Sequence, residues 1–469
     1  MHGHDRMVNT EFSRRTFLTG AGMFAAAVST GTAKGAPSPE KEVNPLAYPC
    51  RPVKAELSRE YTMVVLGAGG RGNVYARYGK MFPGSVKVVG VADLIPFRRN
   101  QMAKRWNVPE ARRFNDYRDC LKAGKIADIA LVTLPDALHY DAVIKALDLG
   151  YDVLVEKPMA QSAEECLGML ARQRETRRIV GVGHVLRYAP YYEAIKSAID
   201  RGLLGDLLCI QHTELVEKYH MSHSFVRGNW RNSKLSTPMI LSKCCHDLDI
   251  LRWFIGKPCK NVSAEGRLGF FTSANRPKGA PTNCFAGCPH ADSCIFAAQK
   301  MYVRDGYMGH HLDLVRGERT EVRIAKVRSS PYSRCVFACD NDVPDHYAAT
   351  LEFEGGVTVA FSYEGLATRG ERITRIMGSK GTIEGNGGEF RLTDLVTGRV
   401  STWNMKVQEV VDRSHGHGGG DLRLFRDFLM AVDKRDEKLL TSSLAASVDS
   451  HVIGFACEKS RLEGVKVHL

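Results

Sequence analysis

The chain has 469 residues, 44% hydrophobic and 25% charged, with 65 Lys/Arg against 52 Asp/Glu for a net charge of +13. These proportions exclude a disordered or fibrous chain and give room for two or three domains with well-buried cores. There is no run of 18 apolar residues to span a membrane, and the scattered basic residues accompany no nucleic-acid motif, so the charge points only to solubility or anionic surroundings.

Residues 1–36 read as an address. Ser13-Arg14-Arg15-Thr16-Phe17-Leu18 matches a twin-arginine export signal, an Ala/Gly-rich run follows, and small residues near Ala33 and Ala36 offer cleavage sites. The expected partner is the twin-arginine translocase and the expected location is periplasmic or otherwise exported. Residues 37–60, with prolines and mixed charge, read as a linker.

At Tyr61 the pattern changes. Thr62–Leu66 is a β-branched apolar run that enters Gly67-Ala68-Gly69-Gly70-Arg71-Gly72, a G-x-G-x-x-G turn, and then a helical segment. Gly67 permits the turn, Gly69 lets main chain approach a pyrophosphate, and Gly72 lets helix and strand pack closely. Gly70 and Arg71 open the helix whose N–H groups would hold the phosphates. Val86–Ala92 is the next strand and ends in Asp93, placed for a ribose hydroxyl. A carboxylate there favours NAD over NADP. Arg98 and Arg99 are near enough to admit NADP, although they read more simply as a solvated helix face.

Further strands at 128–134, 151–155 and 179–184 alternate with helices at 96–106 and 140–149. This rhythm predicts a doubly wound parallel sheet over residues 61–185. Ligands bind at the carboxyl ends of such strands, so Thr133, Pro135, His139, Glu156 and Lys157 are expected at the cofactor crevice. Over residues 186–469, a helix at 190–202 leads into a strand at 207–215. Alternating runs at 346–353, 357–363, 372–377 and 382–384 follow, then amphipathic helices at 421–432 and 443–462.

The order strand–G-x-G-x-x-G, then Thr133-Leu134-Pro135…His139, then Glu156-Lys157-Pro158, resembles the glucose–fructose oxidoreductase/inositol dehydrogenase (Gfo/Idh/MocA) family from about Tyr61 to Leu469. The resemblance implies a Rossmann domain followed by an α+β domain with a large, mostly antiparallel sheet. It implies a carbohydrate or glycoside substrate, a homodimer or homotetramer, and a Lys157 that meets both nicotinamide and substrate hydroxyls. A lysine at a strand end can itself stabilise an alkoxide as hydride leaves.

In Leu241–Trp253 the family's His and following Asp fall on His246 and Asp249. The family's earlier Asp is replaced by Ser242, with Lys243 beside it. His246 is the expected proton relay. Lys243 reads as a second acid/base, a substrate clamp or a plain helix-start charge. Arg187, Tyr188, Trp230 and Asp249 are candidate substrate contacts, and Glu214, Glu217, His220 and His223 lie in a polar stretch open to the same use or to solvent.

Two chemistries suit this set. One is oxidation of a sugar hydroxyl by a tightly bound nicotinamide. The other is redox-neutral glycoside hydrolysis, in which some exported relatives resemble NAD-dependent α-N-acetylgalactosaminidases. A non-catalytic sugar-binding protein is a third, weaker reading. There are 13 cysteines. Cys284, Cys288 and Cys294 form a tight cluster inside an insertion near 259–339, with Cys259 upstream and Cys335 and Cys339 downstream. Structural zinc, disulfides and free thiols are all open for them. His415 and His417 read as a substrate-side loop with no metal role.

Overall fold

A computed structural model describes residues 46–48, 50–315, 317–406 and 416–469. The twin-arginine segment and His415 lie outside the described residues. Six short strands make a wholly parallel sheet: β1 (Tyr61–Leu66), β2 (Val86–Ala92), β3 (Arg113–Phe114), β4 (Ile129–Val132), β5 (Asp152–Val155) and β6 (Val180–Val182), in the order β3-β2-β1-β4-β5-β6. β1, β4 and β5 are buried on both faces apart from Thr62, which is why they read as near-continuous apolar runs. The order reverses between β1 and β4. That leaves a crevice at the carboxyl ends of the central strands.

The second sheet has nine strands: β7 (Leu207–Glu217), β8 (Cys259–Arg267), β9 (His346–Phe353), β10 (Thr358–Ala367), β11 (Glu371–Gly378), β12 (Gly381–Gly385), β13 (Glu389–Asp394), β14 (Val400–Asn404) and β15 (Val467–His468). Their order is β14-β13-β12-β11-β7-β10-β9-β8-β15, with only β7 and β10 parallel. The architecture is thus a parallel Rossmann sheet followed by a mostly antiparallel one. Along β9 and β11, buried Tyr347, Ala349, Leu351, Thr374 and Ile376 alternate with exposed neighbours, so one sheet face carries the core and the other is open.

The helix Gly420–Lys434 returns to the first sheet, packing Leu422, Phe425, Phe428 and Leu429 with Val65, Tyr75 and Tyr78. The described part of the expected linker is a strap rather than a spacer. Arg51 pairs with Glu193 and with Asp427, Ser58 Oγ donates to Asp433, and Arg59 pairs with Asp128. The strap's charged residues do not act only as a solvated spacer; their partners stand on the helices Pro190–Asp200 and Gly420–Lys434 and just before β4.

Candidate active site

Main-chain geometry shapes the glycine turn. Gly67 has φ +98°, and a Cβ there would lie 2.5 Å from the Thr133 carbonyl oxygen. Thr133 Oγ1 donates to Gly67 O at 2.6 Å and holds the turn shut. A Cβ on Gly72 would meet Gly67 O at 2.3 Å, whereas one on Gly69 would meet nothing within 4 Å. The helix Gly70–Met81 therefore begins beside open space, with no side-chain cap and no acid in its first turn. Free N–H groups and the helix dipole there fit a dinucleotide pyrophosphate. Asp93, at the end of β2, accepts from Ala68 N at 2.7 Å and Ile95 N at 2.8 Å, placing its carboxylate at the rim of the turn.

Three residues expected to touch cofactor have other partners. Arg71 Nε donates to Glu156 at 2.7 Å, and its Nη2 donates to Tyr75 OH at 2.7 Å and Asp421 at 3.0 Å. The Glu156 carboxylate is thereby occupied; burial opposes its charge, but Arg71 holds it below the usual range. His139 has both ring nitrogens 2.8 Å from main-chain oxygens, those of Pro158 and Leu134, and so ties the loop after β4 to the end of β5. Pro135 caps the short turn Asp136–Leu138 in that loop. These contacts hold the walls of the crevice in place. From sequence, a polar residue at a strand end looks the same in either role.

Lys157 leaves β5 half-buried, and its Nζ donates to Ser242 O at 2.9 Å. That bond joins the two sheets' domains at the point where the helix Cys245–Ile255 starts. His246 lies in its first turn, 5% exposed, with Nδ1 buried and without a hydrogen-bond partner among the described residues. Burial, then the nearby Lys157, His417, His184 and Arg372, hold its pKa well below the ordinary 6.5. It is a neutral imidazole at neutral pH, able to accept a proton. Lys243 pairs with buried Glu214 at 2.7 Å, and Glu214 also meets Arg372 at 2.9 Å. Arg372 Nε in turn donates to Asp247 at 2.6 Å, whose same oxygen is 2.9 Å from His212 Nε2. A lysine held by a carboxylate suits a clamp better than a desolvated acid/base.

The four expected substrate contacts have partners within the protein. Arg187 and Asp249 form a buried two-pronged pair at 2.6 and 2.7 Å. Tyr188 OH, wholly buried, accepts from Ser442 N at 3.0 Å. Trp230 packs on Phe225 within the second core. Proximity to a strand end placed Arg187 and Tyr188 near the crevice, but their side chains turn into the interface with the C-terminal helices.

Two further histidines lie near His246 and Lys157. His417 Nδ1 lies 2.9 Å from Asp421, and its ring stands 5.7 Å from that of His246. Burial opposes the charge of Asp421, but the bond to His417 and the charge of Arg71 keep its carboxyl far below the usual range. His220 is also pushed well below 6.5, by burial and then by Lys243, His223 and Lys157. The His417-to-Asp421 spacing was the available signal, hidden within a glycine-rich run. His184, Cys245 and His246 offer ligand atoms within 4.8 Å of one another. Lys157 and Arg187 depress the protonation of His184 after burial does, so the local field opposes a cation and suits a developing anion.

Residues 61–184 match the family model described as "Oxidoreductase family, NAD-binding Rossmann fold", and residues 196–469 its companion, "Oxidoreductase family, C-terminal alpha/beta domain". The putative oxidoreductase YteT of Bacillus subtilis is 25% identical over 370 residues, 74% of this chain and 83% of that protein. An inositol 2-dehydrogenase of Salmonella typhimurium is 28% identical over 200 residues, 42% of this chain and 55% of that enzyme, so the match spans about half the length of such relatives. Among solved structures, an inositol dehydrogenase homolog from Azotobacter vinelandii with NADH and myo-inositol superposes with TM-score 0.64 at 16% identity, covering 89% of this chain and all of that one. A levoglucosan dehydrogenase with NADH and levoglucosan gives 0.63 at 16%, covering 87% and 99%. The two family matches together take in nearly the whole of both sheets, and the chain belongs to the Gfo/Idh/MocA family of NAD-binding oxidoreductases.

Proposed function

We propose that the protein oxidises a secondary hydroxyl of a sugar or cyclitol with a resident NAD. A dinucleotide whose pyrophosphate is held at the glycine turn would supply the hydride acceptor. Neutral His246 takes the hydroxyl proton while Lys157, fixed by Ser242 O, donates to the same oxygen and holds its growing negative charge. Lys243, His220 and His417 stand around that position to meet neighbouring hydroxyls. The observation that carries the reading is the pairing of an anchored ammonium with an uncharged imidazole beside an anion-ready glycine turn.

Dinucleotide choice follows from Asp93, whose carboxylate repels a 2′-phosphate. Arg98, which could have offset it, is occupied by Asp313 at 2.9 Å. The loop that provides Asp313 also brings His310 to the mouth of the turn, 3.6 Å from where a Gly70 Cβ would be. A loop across the cleft suits a cofactor that stays bound through many turnovers. That favours a second reading, redox-neutral glycoside cleavage: oxidation at C3 acidifies the C2 proton, the aglycone leaves by elimination, water adds, and hydride returns to C3. Folding around the cofactor before export through a twin-arginine signal in residues 1–36 would fit either chemistry, as would a dimer or tetramer built on the open sheet face.

The test is to heat-release and identify the nucleotide, then assay polyols, sugars and aryl glycosides. Net NADH formation supports the dehydrogenase. Phenol release without net NADH, with deuterium from heavy water at C2, supports the hydrolase. A protein that neither carries nor takes up a pyridine dinucleotide would overturn both.

A further inference from the structure

The insertion between β8 and β9 contains a second centre, remote from hydride chemistry in its composition. Cys284, Cys288, Cys294 and Cys335 line one apolar cavity together with Phe296 and Phe337. Its free space, about 30 Å³ for the centre of a water molecule, exceeds what one water requires. The backbone builds the site deliberately. An isolated β-bridge joins Asn283 to Arg334, Cys284 N donates to Ser333 O, and Cys335 N donates to Thr282 O, so two distant cysteines are held side by side. Cys294 is set by its own N–H bond to His290 O, one turn beyond Cys288.

A fully buried guanidinium faces these sulfurs. Arg227 donates to the carbonyls of Arg334 and Phe296 at 2.7 Å each and reaches Cys284 Sγ at 3.7 Å. Among the described residues no carboxylate pairs with it. A buried cation without an anion is costly, and thiolates bound to metal would supply the missing negative charge.

Spacing selects the kind of centre. No disulfide joins any of them, and no three of these sulfurs lie within 4.8 Å of one another. Thiolates on one zinc, each at about 2.3 Å, would stand only ~3.8 Å apart. A cubane of four irons and four sulfides spreads its four cysteine ligands farther and fills an apolar hollow between them. We infer that Cys284, Cys288, Cys294 and Cys335 ligate a [4Fe–4S] cluster. Cys339, whose sulfur turns back to Cys335 O at 3.2 Å, and Cys259, on β8, are not ligands.

The test uses the full chain, produced with iron supplied and purified without oxygen. The expected protein is brown and contains about four irons and four acid-labile sulfides per chain, with an EPR signal after dithionite reduction. Cys288→Ser and Cys294→Ser should each lose at least half of the iron and sulfide, whereas Cys339→Ser and Cys259→Ser should retain both. Retained NAD binding in the ligand variants would show that the rest of the chain still folds. One zinc per chain without sulfide, a metal-free protein with cysteines joined as disulfides, or equal iron loss in Cys339→Ser would each overturn the assignment.

Discussion

At the scale of single residues, two side chains separate proton transfer from positioning. Replacing His246 by Gln removes the neutral base but keeps a polar group in its place, so turnover should fall ~10²–10⁴-fold while NAD affinity stays within a few-fold. Steady-state rates and cofactor titration on one preparation check both halves. Lys157→Met should lose turnover as well, and should also loosen the contact with Ser242 O that ties the domains together, so its melting temperature should drop where that of His246→Gln holds. Short, ordered motifs single out Lys157 and His246 in the sequence, and the structure sets Lys157 at the start of the helix that carries His246. Arg187, Tyr188 and Asp249 sit in equally suggestive places, yet their partners are Asp249, Ser442 and Arg187, and only tertiary structure fixes those pairings. His417 was readable only as part of a substrate-side loop: its partner Asp421 is near in sequence, but its neighbour His246 is 171 positions away.

At the scale of elements, the glycine turn offers a contrast between fold and binding. Gly69→Ala adds a methyl group to open space, so the chain without cofactor should melt unchanged while NAD binding weakens at least tenfold. Gly72→Ala forces a Cβ against Gly67 O and should destabilise the protein itself, by about 1–3 kcal/mol in denaturant titration. Equal loss of stability in both would refute a ligand role for Gly69. In the nucleotide domain Val86–Ala92 and the helix Pro96–Trp106 were readable to the residue and β1, β4, β5 and β6 to within one or two residues, because apolar runs stand between turn residues, whereas the two-residue β3 was not readable. β13 and β14 were not readable: Glu389–Asp394 and Val400–Asn404, the outermost two strands at that end of the sheet, have polar positions that outnumber their core anchors Phe390, Leu392 and Trp403. The loop reaching from the insertion to Arg98 was beyond sequence reasoning too, since Asp313 is 215 residues from its partner. Asp313→Ala should leave the melting temperature within a degree or two, because a partly exposed pair contributes ~0–1 kcal/mol, but should speed exchange of bound cofactor with labelled NAD in solution.

For the molecule as a whole, acid should act through buried imidazoles. His184, His220 and His246 are held well below 6.5, His223 at about 3, His311 at about 4 and His451 at about 3, with burial as the leading cause in each. The sign follows from linkage. Above pH ~6.5 neither folded nor unfolded chain protonates these rings, and their neutral burial costs nothing extra. As pH falls below 6.5 the unfolded chain binds protons that the folded chain refuses, so each such ring removes up to about 1.4 kcal/mol of stability per pH unit until its folded pKa is reached. These rings span the crevice, the insertion and the helix Leu444–Glu463, so the loss is cooperative across both sheets and not confined to the active site. The melting temperature should therefore be flat from pH 8 to 7 and fall steeply between pH 6.5 and 5, above the range where the paired carboxylates Asp247 and Asp421 titrate. Calorimetry in buffers of different ionisation enthalpy should count more than one proton taken up on unfolding at pH 5.5. Uptake of none, or a melting temperature indifferent to pH down to 4.5, would mean that these rings are hydrated or already charged in the folded protein, and with them the neutral state assigned to His246.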